Sequence, residues 1–192
     1  MSVYRGRRYD PVPAGQTQGS SVVFELLEAA GLLNKGFHLI TDSFFSSIDL
    51  ARRLFQVGTN FTGTLRANSR DQPNAIRTPH ANAGQCVYMR KRNILLCAYK
   101  ERPNRKAVRL VTNCMAARNG VRKPEIVEFY NKNMGGVDLN DMLTLTYDDN
   151  RKTLKLWKKI VYNVLHRVLL NVFICYTQNT DPNQKLSRAA FI

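Results

Sequence analysis

The chain has no C-x-x-C pair and only three histidines, and its cysteines, Cys86, Cys97, Cys114 and Cys175, stand 11, 17 and 61 positions apart. Neither a zinc site nor a disulfide framework is written into that spacing, so reduced thiols inside a cell are expected. No apolar leader follows the charges of the opening Met-Ser-Val-Tyr-Arg-Gly-Arg-Arg-Tyr, so no secretory signal is expected. The longest apolar region, 160–176, is interrupted by Asn163, His166, Arg167 and Asn171, which argues against a membrane span. Acidic residues are scarce, 14 against 29 basic ones.

What is present is the composition of a folded protein: 192 residues, 44% hydrophobic and 22% charged, with nine Phe and eight Tyr. That length suits one domain, or one with a small insertion, and excludes a disordered or collagenous chain. The net charge of +15 makes a polyanion the default partner. Residues 1–50 hold four basic and five acidic side chains, so the cationic surface belongs to the later part. Arg90, Lys91, Arg92, Arg105 and Lys106, offset only by Glu101, form one candidate phosphate-contacting patch; Lys152, Lys155, Lys158 and Lys159 beside Trp157 form a second.

The opening through Gly19 reads as a loop following something that precedes Met1. Helical periodicity then predicts a helix over 21–30, with Ser20 or Ser21 as N-cap and Gly31 past its end. A short buried strand, Phe37 to Thr41, runs directly into Asp42; Ser46 and Asp49, spaced like a capping box, open a helix to about Val57. A strand from Asn60 to Arg66 precedes a loop to Gly84. Strands follow at 86–90 and 94–100, joined by a turn of Lys91, Arg92 and Asn93, and at 108–112. From Glu125 the pattern is helical, and 157–176 carries an apolar stripe expected to be buried along a long helix.

With so few carboxylates, their placement matters. Asp42 ends an apolar strand, where α/β sheets gather ligands, although a plain turn-capping role is equally open. Asp138 and Asp141 lie one helical turn apart. Gly135 and Gly136 destabilise a helix by about 2 kcal/mol relative to alanine, so close backbone approach is expected there, from a tight crossing or an active centre. Asp42 and Asp138 in a cationic protein suggest phosphodiester chemistry with two Mg²⁺ ions, for which two or three carboxylates suffice.

Three runs, H-L-I-T-D-S-F-F-S-S-I-D-L-A-R-R-L at 38–54, G-T-N-F-T-G-T-L-R-A-N at 58–68 and F-Y-N-K-N-M-G-G-V-D-L-N-D-M at 129–142, together with R-K-T-L-K-L-W-K-K-I at 151–160, resemble the piggyBac transposases and the proteins derived from them. The resemblance implies an α/β chain with a partial RNase H-like fold of the DDE/DDD type, a β-rich insertion and a long C-terminal helix. Residues 1–66 would carry the second catalytic aspartate, 67–122 the insertion, and 123–192 the third aspartate. By motif Asp42 and Asp138 take those places, with Asp141 a further acidic metal-side position, Arg66 near the cleaved strand, Arg70 a DNA-contact candidate directly after the Ser69 that stands where many members are basic, and Trp157 a stacking surface for an unpaired base. The first aspartate's strand would lie before Met1. The implied activity is Mg²⁺-dependent cut-and-paste DNA transposition, incomplete in this chain, or else non-catalytic DNA binding by a domesticated remnant. The implied partners are double-stranded DNA, transposon ends and target, and a homodimer in the nucleus, with no membrane and no small-molecule substrate. A sheet without its first strands exposes an edge, so poor solubility is expected.

Overall fold

A computed structural model describes residues 12, 16–69, 71–79, 81–120, 122–146 and 154–191. Arg70 and Lys152 lie outside the described residues. The elements run α1 (Gln18–Ala29), β1 (His38–Thr41), α2 (Ile48–Gln56), β2 (Asn60–Thr64), α3 (Asn74–Arg77), β3 (Cys86–Lys91), β4 (Ile94–Tyr99), β5 (Val108–Thr112), α4 (Glu125–Asn133), α5 (Gly136–Thr146), α6 (Leu156–Asn179), a 3₁₀ turn (Pro182–Gln184) and α7 (Arg188–Phe191). They fall into two compact units, residues 1–134 and 135–192.

In the first unit one sheet has the order β1-β2-β5-β4-β3. β1 and β2 are parallel, as a crossover through α2 requires, and the remaining pairs are antiparallel. Strands of 67–122 thus continue the sheet begun by 1–66, and both lie in the first compact unit. All six residues of β4, Ile-Leu-Leu-Cys-Ala-Tyr, are buried because helices cover both sheet faces. Ile94, Leu96 and Ala98 meet Leu50, Ala51 and Leu54 of α2 and Ile76 of α3. Cys97 and Tyr99 meet Ile126, Val127 and Tyr130 of α4. Asn113 locks the centre: its Oδ1 accepts from Phe61 N (2.7 Å) and its Nδ2 donates to Thr59 O (2.9 Å) and Ala51 O (3.3 Å).

Several local expectations shift. The N-cap of α2 is Ser47, whose hydroxyl accepts from Leu50 N at 2.9 Å, and not Ser46. The cap of α1 is Thr17, so that helix starts three residues before the expected position. The stretch expected to be loop carries α3, whose Ile76 is fully buried. At Gly135 and Gly136 an added Cβ would meet nothing within 4 Å among the described residues. The two glycines stand where α4 ends and α5 begins, as their low helix propensity favours.

In the second unit the expected burial of the long helix is not realised. Trp157, Val161, Leu165, Val168 and Val172 are each at least 45% exposed, and Leu170 is its buried residue. At 1.5 Å per residue α6 spans about 36 Å while α5 spans about 16 Å, too short to cover it. Cys175 is likewise exposed. By length and composition α6 would also suit a membrane span, with a mean hydropathy of 1.4 over its best window. Arg167 midway along it, paired at 2.7 Å with Asp141, is costly at a bilayer centre.

Candidate functional site

Asp42 opens a turn braced by several hydrogen bonds. Asp42 follows β1 directly and is exposed. Its Oδ1 accepts from Phe44 N (3.0 Å) and Phe45 N (3.3 Å), and among the described residues its Oδ2 has no protein partner. Ser46 Oγ donates to Asp42 O at 2.7 Å and shares a hydrogen bond with Thr41 Oγ1, also 2.7 Å. Two glycines make this possible. A Cβ at Gly63, opposite Thr41 in the β1–β2 register, would overlap Ser46 Oγ; one at Gly19 of α1 would overlap Phe44 O. Ser20 adds a hydroxyl contact to Ser47 Oγ at 2.9 Å. The carboxylate is thereby held by two N–H groups of its own turn, and that turn is packed against α1, β1 and β2, rigid elements that fix its position.

Strand direction decides which cations share that end. β2 runs parallel to β1, so Arg66 emerges beside the Asp42 turn, its guanidinium carbon 5.5 Å from the Phe44 ring centre. Thr64 pairs with Leu110 and Tyr99 with Val108, so the β4–β5 connection carrying Arg105 and Lys106 lies at the same end of the sheet. Lys91 pairs with Ile94, so Arg90, Lys91 and Arg92 sit at the opposite end. The expected single patch over 90–109 is therefore two, separated by the length of β4, about 20 Å. All five side chains are exposed. Glu101 forms a 2.9 Å ion pair with Lys123, whose ammonium holds the carboxyl below its ordinary range, leaving the Arg105 connection cationic. Arg109 is not part of this surface: its guanidinium donates to the carbonyls of Ile76 (3.0 Å), Ala107 (3.0 Å) and Arg77 (2.7 Å).

In the second unit Asp138 is exposed in the first turn of α5, where the positive end of the helix favours a carboxylate. Asp141 Oδ1 is bound to Arg167 Nη2 at 2.7 Å, and Arg167 Nε also donates to Asn163. Lys155 precedes α6; Lys158 lies 5.6 Å from the centre of the exposed Trp157 ring, and Lys159 is exposed. Within neither unit do three His, Cys, Asp or Glu side chains of the described residues come together.

Sequence reasoning missed Phe44 and Phe45, exposed at 50% and 36% with rings edge to face at 5.0 Å, and the positioning residues Gly19, Thr41, Ser46 and Gly63. The available signal was two adjacent phenylalanines directly after Asp42 and Ser43, ahead of the helix cap.

A solved structure of piggyBac transposase, in a synaptic complex with hairpin DNA, is similar to this chain with a TM-score of 0.84 and 27% identity. The similarity covers 94% of this chain and 39% of that one, so this chain spans about two fifths of the length of that transposase. Residues 1–173 match the sequence family described as Transposase IS4. Backbone likeness and sequence family agree, and on both this chain belongs to the IS4-type transposases, with a fold similar to that of piggyBac transposase.

Proposed function

We propose that this chain is part of a piggyBac-like DNA transposase that grips duplex DNA and takes part in metal-dependent strand cleavage, in an RNase H-like fold with residues 67–122 as its insertion. The observation that carries the reading is the braced Asp42 turn, with Arg66, Arg105 and Lys106 at the same end of the sheet. The donor chemistry fits Mg²⁺, which takes oxygen ligands and keeps several waters. Asp42 offers a fixed carboxylate with Oδ2 open, and the motif around Asp138 makes it the second candidate; Asp141 is held by Arg167. Bound at the Asp42 carboxylate, Mg²⁺ would activate a water or hydroxyl and stabilise the leaving oxygen. Arg66 and the Arg105 connection neutralise phosphates, and Phe44 backs the Arg66 guanidinium. Transposon ends and target DNA, a nuclear setting and a homodimer belong to the same reading.

The test is nicking of duplex DNA carrying the element's ends. Asp42→Asn keeps an acceptor oxygen for Phe44 N and Phe45 N but lacks the charge, so Mg²⁺-dependent nicking is expected to fall at least a hundredfold while duplex affinity holds or rises. Asp138→Asn is expected to behave alike. Undiminished nicking in both variants would sink the assignment. One observation favours a second reading, a DNA-binding remnant without cleavage: Asp42 already serves as a turn cap and Asp141 as an ion-pair partner. That reading predicts steeply salt-sensitive binding and no nicking with any divalent metal.

A further inference from the structure

Away from the Asp42 turn, two thiols stand almost in bonding position. Cys86 begins β3 and Cys97 lies in β4; the register pairs Cys86 with Tyr99 and Tyr88 with Cys97, making the cysteines diagonal neighbours on the face that α4 covers. Their Sγ atoms are 3.1 Å apart. A disulfide needs about 2.05 Å, so the two sulfurs need to close by only about 1 Å. Their surroundings differ. Cys97 is fully buried in the core, whereas Cys86 is partly exposed and opens onto a cavity of about 590 Å³ that Tyr88, Arg122 and Lys123 also line. The hydrogen bond from Cys97 pulls the Cys86 thiol below its ordinary range; the same bond and burial push Cys97 up. One sulfur is reachable and the more acidic, and the other is sheltered and within reach of it, which is the arrangement of an attacking thiol and a resolving thiol.

We propose that Cys86 and Cys97 form a peroxide-responsive dithiol, with Cys86 the sulfur that meets the oxidant through the cavity and Cys97 the sulfur that resolves it into a disulfide. In the first step the Cys86 sulfur attacks one oxygen of hydrogen peroxide, the O–O bond breaks, and Cys86 sulfenic acid and one water form. In the second, Cys97 sulfur attacks the sulfenic sulfur, the S–O bond breaks, and a second water leaves with the two remaining protons. Two thiols are oxidised by two electrons and one peroxide is reduced. The bond ties the edge strand β3 to the core strand β4, toward the base of the hairpin whose far end carries Arg90, Lys91 and Arg92.

Trypsin separates the two cysteines into the peptides Thr78–Arg90 and Asn93–Lys100. Treatment of the full chain with equimolar hydrogen peroxide, digestion without reductant and mass spectrometry are expected to show these peptides linked, two hydrogens lighter than their sum, and separated again by dithiothreitol. In Cys97→Ser the sulfenic acid has no resolving thiol, so dimedone is expected to label Cys86. In Cys86→Ser the buried Cys97 is expected to stay reduced. The proposal is overturned if the wild-type peptides remain unlinked while Cys114 or Cys175 oxidises, an outcome independent of how well either variant folds. It is equally overturned if Cys97→Ser gives no dimedone adduct at Cys86 in a chain that still melts cooperatively.

Discussion

Gly63 shows how one absent methyl group positions a carboxylate twenty-one residues earlier. The hydroxyls of Thr41 and Ser46 occupy the space above its Cα, and Ser46 in turn holds the Asp42 carbonyl. Its backbone is ordinary extended strand, so Gly63→Ala tests sterics alone. Overpacking with displacement of a hydroxyl pair costs about 1–3 kcal/mol, expected as a lowered urea midpoint with an unchanged slope. His38 sets a pH limit. Its Nε2 bonds Thr62 Oγ1 at 2.9 Å, its ring packs 4.6 Å from that of Phe129, and burial holds its pKa below the ordinary 6.5. A group easier to protonate unfolded than folded contributes stability that is complete above its ordinary pKa and is lost as pH falls through it toward the folded value. Unfolding free energy is therefore expected to decline as pH falls through about 6.5, and His38→Gln to flatten that limb. An equal decline in the variant would remove His38 from the account.

At the scale of elements, the β3–β4 hairpin turns on two residues, Arg92 and Asn93, with Arg92 at φ +54°. That region costs a side-chain-bearing residue about 1–2 kcal/mol, part of which glycine returns in chain entropy, so Arg92→Gly is expected to stabilise by about 0.5–1 kcal/mol in thermal or urea melts. The same hairpin shows what the sequence made legible. An unbroken apolar run in β4, an acidic first turn in α2, and Asp42 at a strand end could all be read locally, because each depends on neighbours within a few residues. The joining of β2 to β5 could not: it is set by Thr62 bonding Thr112 at 2.9 Å and by the Asn113 side chain reaching Phe61, partners about fifty positions apart. Nor could the exposure of α6, since an apolar stripe states what a face is suited to meet and not whether the meeting element is there.

For the whole molecule the deciding quantity is where the +15 charge sits relative to the sheet. Contiguity in sequence put Arg90 and Arg105 together, and antiparallel pairing puts them at opposite ends. Each phosphate neutralised contributes about 0.9 to the slope of log affinity against log salt. If a short duplex docks at the Asp42 end, the triple change Arg66→Ala, Arg105→Ala, Lys106→Ala removes up to about 2.7 from that slope, while Arg90→Ala, Lys91→Ala, Arg92→Ala leaves it nearly unchanged. Fluorescence anisotropy with a duplex of about eight base pairs, about 27 Å long, between 50 and 200 mM salt makes the comparison. Equal losses from the two triples would mean that the duplex lies along the strands and meets both ends at once, which would separate DNA binding from the carboxylate turn.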